Sequence, residues 1–211
     1  LKSAGTGISR SEALLRMFKL RWLRMPFWTL AAWRLRELGK WWGSMGDKSA
    51  IEWTDASWNP VTGCSHVSSG CQFCYAEKLS LRQGWSKTPW TKANAPKNVV
   101  LHADRLDLPL RWKKPRMIFV NSMSDLFHEE IPIDVIQSVF DVMERASQHI
   151  FQVLTKRAWR MCNVVPHLRQ IGGLKLMDRP LPNVWLGVSA EDQQRFDDRW
   201  KCLRHTPAAV R

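Results

Sequence analysis

The chain has 211 residues, a formal net charge of +13 and an isoelectric point near 10. This length holds one good-sized domain with a substantial core, and the charge points to a polyanion partner, most often nucleic acid. Five cysteines, three of them clustered, lack the pattern of a disulfide framework and favour a reduced, metal-binding, cytoplasmic protein.

Residues 1–48 hold ten Lys and Arg against three Asp and Glu, more than half of the basic excess. Residues 1–44 read as a basic helical extension, with one amphipathic helix from Ser11 to near Pro26 and a second from Trp28 to Trp42. Such stretches lie on membranes or nucleic acid. The apolar run at 25–33 is far too short to span a bilayer, and no secretory cleavage site follows it. The chain begins with Leu, and Met45-Gly-Asp-Lys-Ser leads directly into the domain pattern. Met45 is therefore the expected natural start, with 1–44 as translated upstream sequence and 45–211 as the domain.

The domain opens with an expected strand at 50–53 and a polar connection through Trp58, Asn59 and Pro60. The cysteine stretch follows, and a helix is expected over 75–82. Residues 84–116 contain four prolines and no clear period; a short helix is expected at 101–110, with His102 and Asp104 on its surface. From 117 the pattern is regular. Strands are expected at 117–121, 149–155 and 183–190, and helices at 132–145, 158–170 and 191–205. Gly172-Gly173 marks a break. Strand–helix alternation with strands buried on both faces is the pattern of a parallel sheet covered by helices. Cys162 and Cys202 fall in helical patterns and read as packing residues.

The segment Cys64-Ser-His-Val-Ser-Ser-Gly-Cys71-Gln-Phe-Cys74 has a C-x6-C-x2-C spacing. Three thiolates form a soft site that selects zinc or iron–sulfur chemistry over magnesium or calcium. Zinc wants a closed tetrahedron, to which His66 would add a fourth ligand. Three cysteines on a four-iron cluster instead leave one iron open to a small molecule. At the later strand ends stand Asn121, Ser122, Ser124 and Asp125, then His128 and Glu129, then Lys156 and Arg157, and last Ser189, Glu191 and Asp192. Capping, turn and surface-charge roles account for these residue types as well as cofactor contacts do.

Cys71-Gln-Phe-Cys74 resembles the closing half of the radical S-adenosylmethionine (SAM) motif, although the first gap is six residues where three is usual. Ile51-Glu-Trp-Thr-Asp-Ala-Ser-Trp-Asn-Pro-Val-Thr-Gly-Cys64 and Gly70-Cys-Gln-Phe-Cys-Tyr-Ala-Glu77 are similar to a phage-associated, radical-SAM-like family of uncharacterised proteins. Phe119-Val-Asn-Ser-Met-Ser-Asp-Leu-Phe127, Val153-Leu-Thr-Lys-Arg157 and Trp185-Leu-Gly-Val-Ser189 match the same family. The resemblance implies an α/β fold of partial (βα) barrel type, truncated at the C-terminus, with residues 208–211 as the approach to a further strand. It implies a [4Fe–4S] cluster on Cys64, Cys71 and Cys74, with SAM on the open iron. SAM cleavage would yield a 5′-deoxyadenosyl radical, fed by an electron donor and directed at an unknown substrate, with a nucleic-acid base one class to consider. It further implies that Phe73 covers the adenine, that Asn121, Ser122, Ser124 and Asp125 hold the amino group of SAM, and that Ser189 and Glu191 stand near its ribose. The rival reading is a non-catalytic zinc module, Cys64, His66, Cys71 and Cys74, in a nucleic-acid-binding protein.

Overall fold

The computed structural model describes Ser49 and residues 51–211; the expected helices at 11–26 and 28–42 and the expected start at Met45 lie outside these residues. In chain order the regular elements are β1 (Ala56–Trp58), β2 (Val61–Thr62), α1 (Tyr75–Arg82), α2 (Ala95–Asn98), β3 (Val100–Leu101), α3 (Leu108–Arg111) and β4 (Met117–Val120). They continue with α4 (Ile133–Arg145), β5 (Ile150–Thr155), α5 (Ala158–Val164), β6 (Val184–Val188) and α6 (Gln193–Leu203).

Four strands form one sheet in the order β1-β4-β5-β6, every pair parallel. Each crossover adds its strand on the same side of the previous one, so the sheet grows in one direction without reversal. Val210 continues this growth, pairing in parallel with Trp185 and accepting the Leu186 N–H at 3.1 Å. β2 and β3 form a separate antiparallel ladder. The mixed α/β class with a mostly parallel sheet agrees with the alternation read from the sequence.

The strands are apolar runs because helices cover them. Ile118, Val120, Phe151, Val153 and Leu186 are buried on the sheet, and α4 buries Val135, Ile136, Val139, Phe140, Val142 and Met143. Each such side chain contributes roughly 1.5–3 kcal/mol when removed from water. Trp58 is fully buried with its ring 5.8 Å from that of Phe151, and its indole N–H donates to the Arg105 carbonyl at 2.8 Å. That bond ties the irregular stretch before β4 to the first strand.

Three boundaries differ from the sequence reading. The first strand lies at Ala56–Trp58; residues 51–53 form a turn instead. The Thr54 hydroxyl closes this turn against the Ala56 and Met117 carbonyls at 3.1 and 3.0 Å. The helix expected over 158–170 stops at Val164, because Pro166 lacks the N–H that a continuing helix needs, and a 3-10 turn over Val165–His167 replaces it. The helix expected at 101–110 is split into a 3-10 turn at Ala103–Arg105 and the single turn of α3. Among the described residues, no helix is long and apolar enough to cross a membrane.

Candidate functional site

The register aligns the C-terminal ends of the strands. Trp58 pairs with Val120, Val120 with Val153, and Thr155 with Val188. Asn59, Asn121, Thr155 and Ser189 therefore emerge along one edge, the edge at which α/β folds place their chemistry.

The cysteine loop rises from this edge. Gly63 has φ of 85°, and a Cβ there would meet the Asn98 carbonyl oxygen at 1.9 Å, so only glycine allows the chain to turn into Cys64. Cys71 closes a 3-10 turn over Ser69–Cys71, and Cys74 caps α1 while its N–H donates to the Cys71 carbonyl at 3.2 Å. Cys64 and Cys74 both pack against one small apolar cluster of Ala76, Trp90 and Met123. The donor set and its place suit a soft metal or an iron–sulfur cluster. The three sulfurs are not gathered on one point, however: among the described residues, no three His, Cys, Asp or Glu side chains are grouped to hold a metal ion.

Cys64 has a cation beside it. Arg157, with 4% of its side chain exposed, donates from Nη1 to the Cys64 sulfur at 3.4 Å. The same guanidinium donates to the Ser65 carbonyl and hydroxyl at 3.0 and 3.1 Å and to Glu129 Oε2 at 2.8 Å, and reaches Asp125 Oδ2 at 3.4 Å. Burial pushes the Cys64 thiol up to about 12, with Arg157 opposing it. A metal held there would reverse that balance, because a coordinating thiol is deprotonated outright.

The four candidates after β4 fare differently. Asp125 is consumed by the fold, accepting from the Thr155 hydroxyl at 2.7 Å and the backbone N–H groups of Phe127 and Lys156 at 3.0 and 3.1 Å. The Ser124 hydroxyl donates to the Val61 carbonyl at 2.9 Å, and the Ser122 hydroxyl exchanges hydrogen bonds with the Asn59 amide. Asn121 is the exception. It is 3% exposed, holds φ at 59°, and both polar atoms of its amide are buried without a protein partner. Such a group costs free energy unless a ligand or water satisfies it.

At the end of β6, Glu191 faces the cysteine loop. Its carboxylate pairs with Arg199 at 2.8 Å, and Arg199 also donates to the Ser68 hydroxyl at 2.9 Å and to the Ser189 carbonyl. Hydrogen bonds from Ser68, Arg199 and the Gly70 N–H hold Glu191 down at about 2, against the opposing effect of burial. The cap of α6 is Asp192, which accepts the Arg195 N–H at 2.7 Å. Glu191 and Arg199 thus clamp the loop between its first two cysteines. Phe73 is 75% exposed, with the Lys78 ammonium 5.2 Å from its ring, and so is not a packing residue. His66 Nε2 lies 2.5 Å from Glu77 Oε2, whose other oxygen accepts the Trp90 N–H at 2.7 Å.

Several participants have no motif to announce them. Tyr75 donates its hydroxyl to the Ser122 carbonyl at 2.6 Å, joining α1 to the end of β4, and Asn59 and Arg199 act through contacts distant in sequence. His128, read as a loop residue, is fully buried and bonds the Ser65 hydroxyl at 2.8 Å. Cys162 and Cys202 are half-buried free thiols on α5 and α6, and the Cys162 thiol donates to the Trp159 carbonyl at 3.2 Å.

A family model described as "Protein of unknown function (DUF5131)" matches residues 48–211, and the chain belongs to that family. No curated protein and no solved structure matches it.

Proposed function

We propose that this family member is a radical-SAM-type enzyme built on a partial (βα) barrel, with Cys64, Cys71 and Cys74 as the ligands of a [4Fe–4S] cluster and SAM bound beside Asn121. The observation that carries the reading is a coincidence at one sheet edge. A loop with three thiols is hydrogen-bonded to the segment that directly follows a buried amide without a protein partner. The one-way strand order supports the barrel. When bound, the cluster supplies the electron that splits SAM into a hydrogen-abstracting radical.

The chain's own residues bind, orient and shield. Arg157 directs an N–H at the Cys64 sulfur, which favours the ligating thiolate, and Asp125 and Glu129 hold that guanidinium in place. Asn121 offers an NH2 donor group and a carbonyl acceptor to the amino-acid end of SAM. Glu191 and Arg199 fix the path of the loop, and Phe73 presents a ring face to an adenine. An external electron donor and an unidentified substrate complete the reaction.

One observation favours a zinc site instead. His66 already carries the carboxylate partner, Glu77, that metal-bound imidazoles use, leaving Nδ1 as the ligand of a Cys3His site. Metal and sulfide analysis of anaerobically purified protein separates the two. The enzyme reading predicts about four irons with matching sulfide per chain. One zinc without sulfide, lost on His66→Ala, overturns it in favour of the zinc module.

A further inference from the structure

Residues 71–98 contain five basic residues, Lys78, Arg82, Lys87, Lys92 and Lys97, and a single acid, Glu77. The 113 residues that follow hold 17 basic against 13 acidic, the same net excess spread over a fourfold longer stretch. All five cations are exposed, and none forms an ion pair with a described residue. Glu77 turns inward to His66 and the Trp90 N–H, so it does not offset them at the surface. Exposed aromatic rings are interleaved with these cations: Tyr75 at 57% and Trp85 at 49% exposure.

The segment folds back as one piece against the cysteine loop. Trp90 is buried on the cluster that also receives Cys64 and Cys74, its indole N–H donates to the Ser86 hydroxyl at 2.9 Å, and its carbonyl accepts the His66 N–H at 3.0 Å. Asn98 donates from its amide to the Thr88 and Pro89 carbonyls at 3.2 and 3.0 Å. The cations and rings are therefore carried on an ordered collar beside the candidate site.

We infer that this collar binds single-stranded nucleic acid and presents it to the cysteine loop. Unpaired cations neutralise phosphates and release counterions. Exposed rings need unstacked bases as partners, which a single strand offers and a duplex does not. As an assignment of substrate class the inference rests on the enzyme reading; as a binding surface it stands without it.

The test is fluorescence anisotropy of the full chain with labelled oligonucleotides of about 15 nucleotides, single-stranded DNA, single-stranded RNA and duplex, in roughly 50 and 200 mM salt. Either single strand should bind more tightly than the duplex and lose at least about tenfold in affinity at the higher salt. Lys87→Glu with Lys92→Glu and Lys97→Glu should weaken binding by at least about tenfold and flatten the salt dependence. Trp85→Ala should weaken it roughly 5- to 100-fold with the salt dependence kept. Circular dichroism checks that these surface variants fold, and Lys→Gln at the same positions provides a milder set. Unchanged affinity in the variants, equal binding of duplex, or binding to anionic phospholipid vesicles in place of oligonucleotides would each overturn the inference. Because metal content is measured separately, loss of the enzyme reading and loss of this surface are distinguishable.

Discussion

Arg157 and Asn121 are the two residues whose surroundings ask for an explanation. Arg157 is a buried cation whose five donors are spent on Cys64, Ser65, Asp125 and Glu129. Arg157→Met removes the countercharge and leaves Asp125 buried in the loop after β4. It is predicted to cost about 3–5 kcal/mol, read as a lower urea midpoint; a loss below about 1 kcal/mol would mean that the network is incidental. Asn121 poses the opposite case, since its amide contributes no hydrogen bond to the fold and its φ of 59° suits glycine. Asn121→Gly should therefore leave the thermal midpoint unchanged or slightly raised. It should also weaken SAM binding by about tenfold or more in titration calorimetry. A large loss of stability would assign Asn121 to the fold instead of the site.

The elements that matter most are the loop at 63–74 and the collar behind it. Gly63 lies against the Asn98 backbone, so Gly63→Ala must displace the collar. Faster amide exchange is predicted across 86–98 with little change in β5, and uniform protection would contradict the linkage. α1, α4, β4, β5 and β6 were legible in the sequence because burial of one face imposes a period or an apolar run. The collar was not, since its order comes from the Asn98 amide on the Thr88 and Pro89 carbonyls, the Trp90 indole on the Ser86 hydroxyl and the His66 N–H on the Trp90 carbonyl, which leave no period. The cysteines were legible by spacing alone. Arg157 reads in the sequence as a cation for a ligand's carboxylate or phosphate, or as surface charge, because nothing local marks a cation that folds back across 93 residues to Cys64. Ser122, Ser124 and Asp125 carried the right chemistry for a ligand, yet the fold spends it on hydrogen bonds of its own.

For the molecule as a whole, buried imidazoles govern the response to mild acid, and burial lowers His102, His128 and His149 alike. Burial holds His102 and His128 each at about 4; His102 bonds the Thr62 hydroxyl at 2.8 Å, and His128 Nδ1 accepts the Glu130 N–H at 3.1 Å. Their folded values lie below the ordinary 6.5, so between pH 6.5 and about 4 the unfolded chain binds protons that the native state refuses. Stability is thus full above pH 6.5 and falls as pH drops, by up to about 1.4 kcal/mol per pH unit for each imidazole. Glu191 acts only below its ordinary 4.5, losing its contribution as pH falls towards about 2. Urea midpoints at pH 7 and pH 5 check this: a lower midpoint at pH 5, with the difference reduced by His128→Gln, is expected, and equal midpoints would contradict it. Electron paramagnetic resonance of the reduced protein with and without SAM tests whether a site for SAM stands at the parallel-sheet edge. A [4Fe–4S] signal that changes when SAM is added is expected, and in Asn121→Gly the same signal should need at least about tenfold more SAM to change. A protein with no such signal, or a signal indifferent to SAM in the unaltered chain, would contradict it.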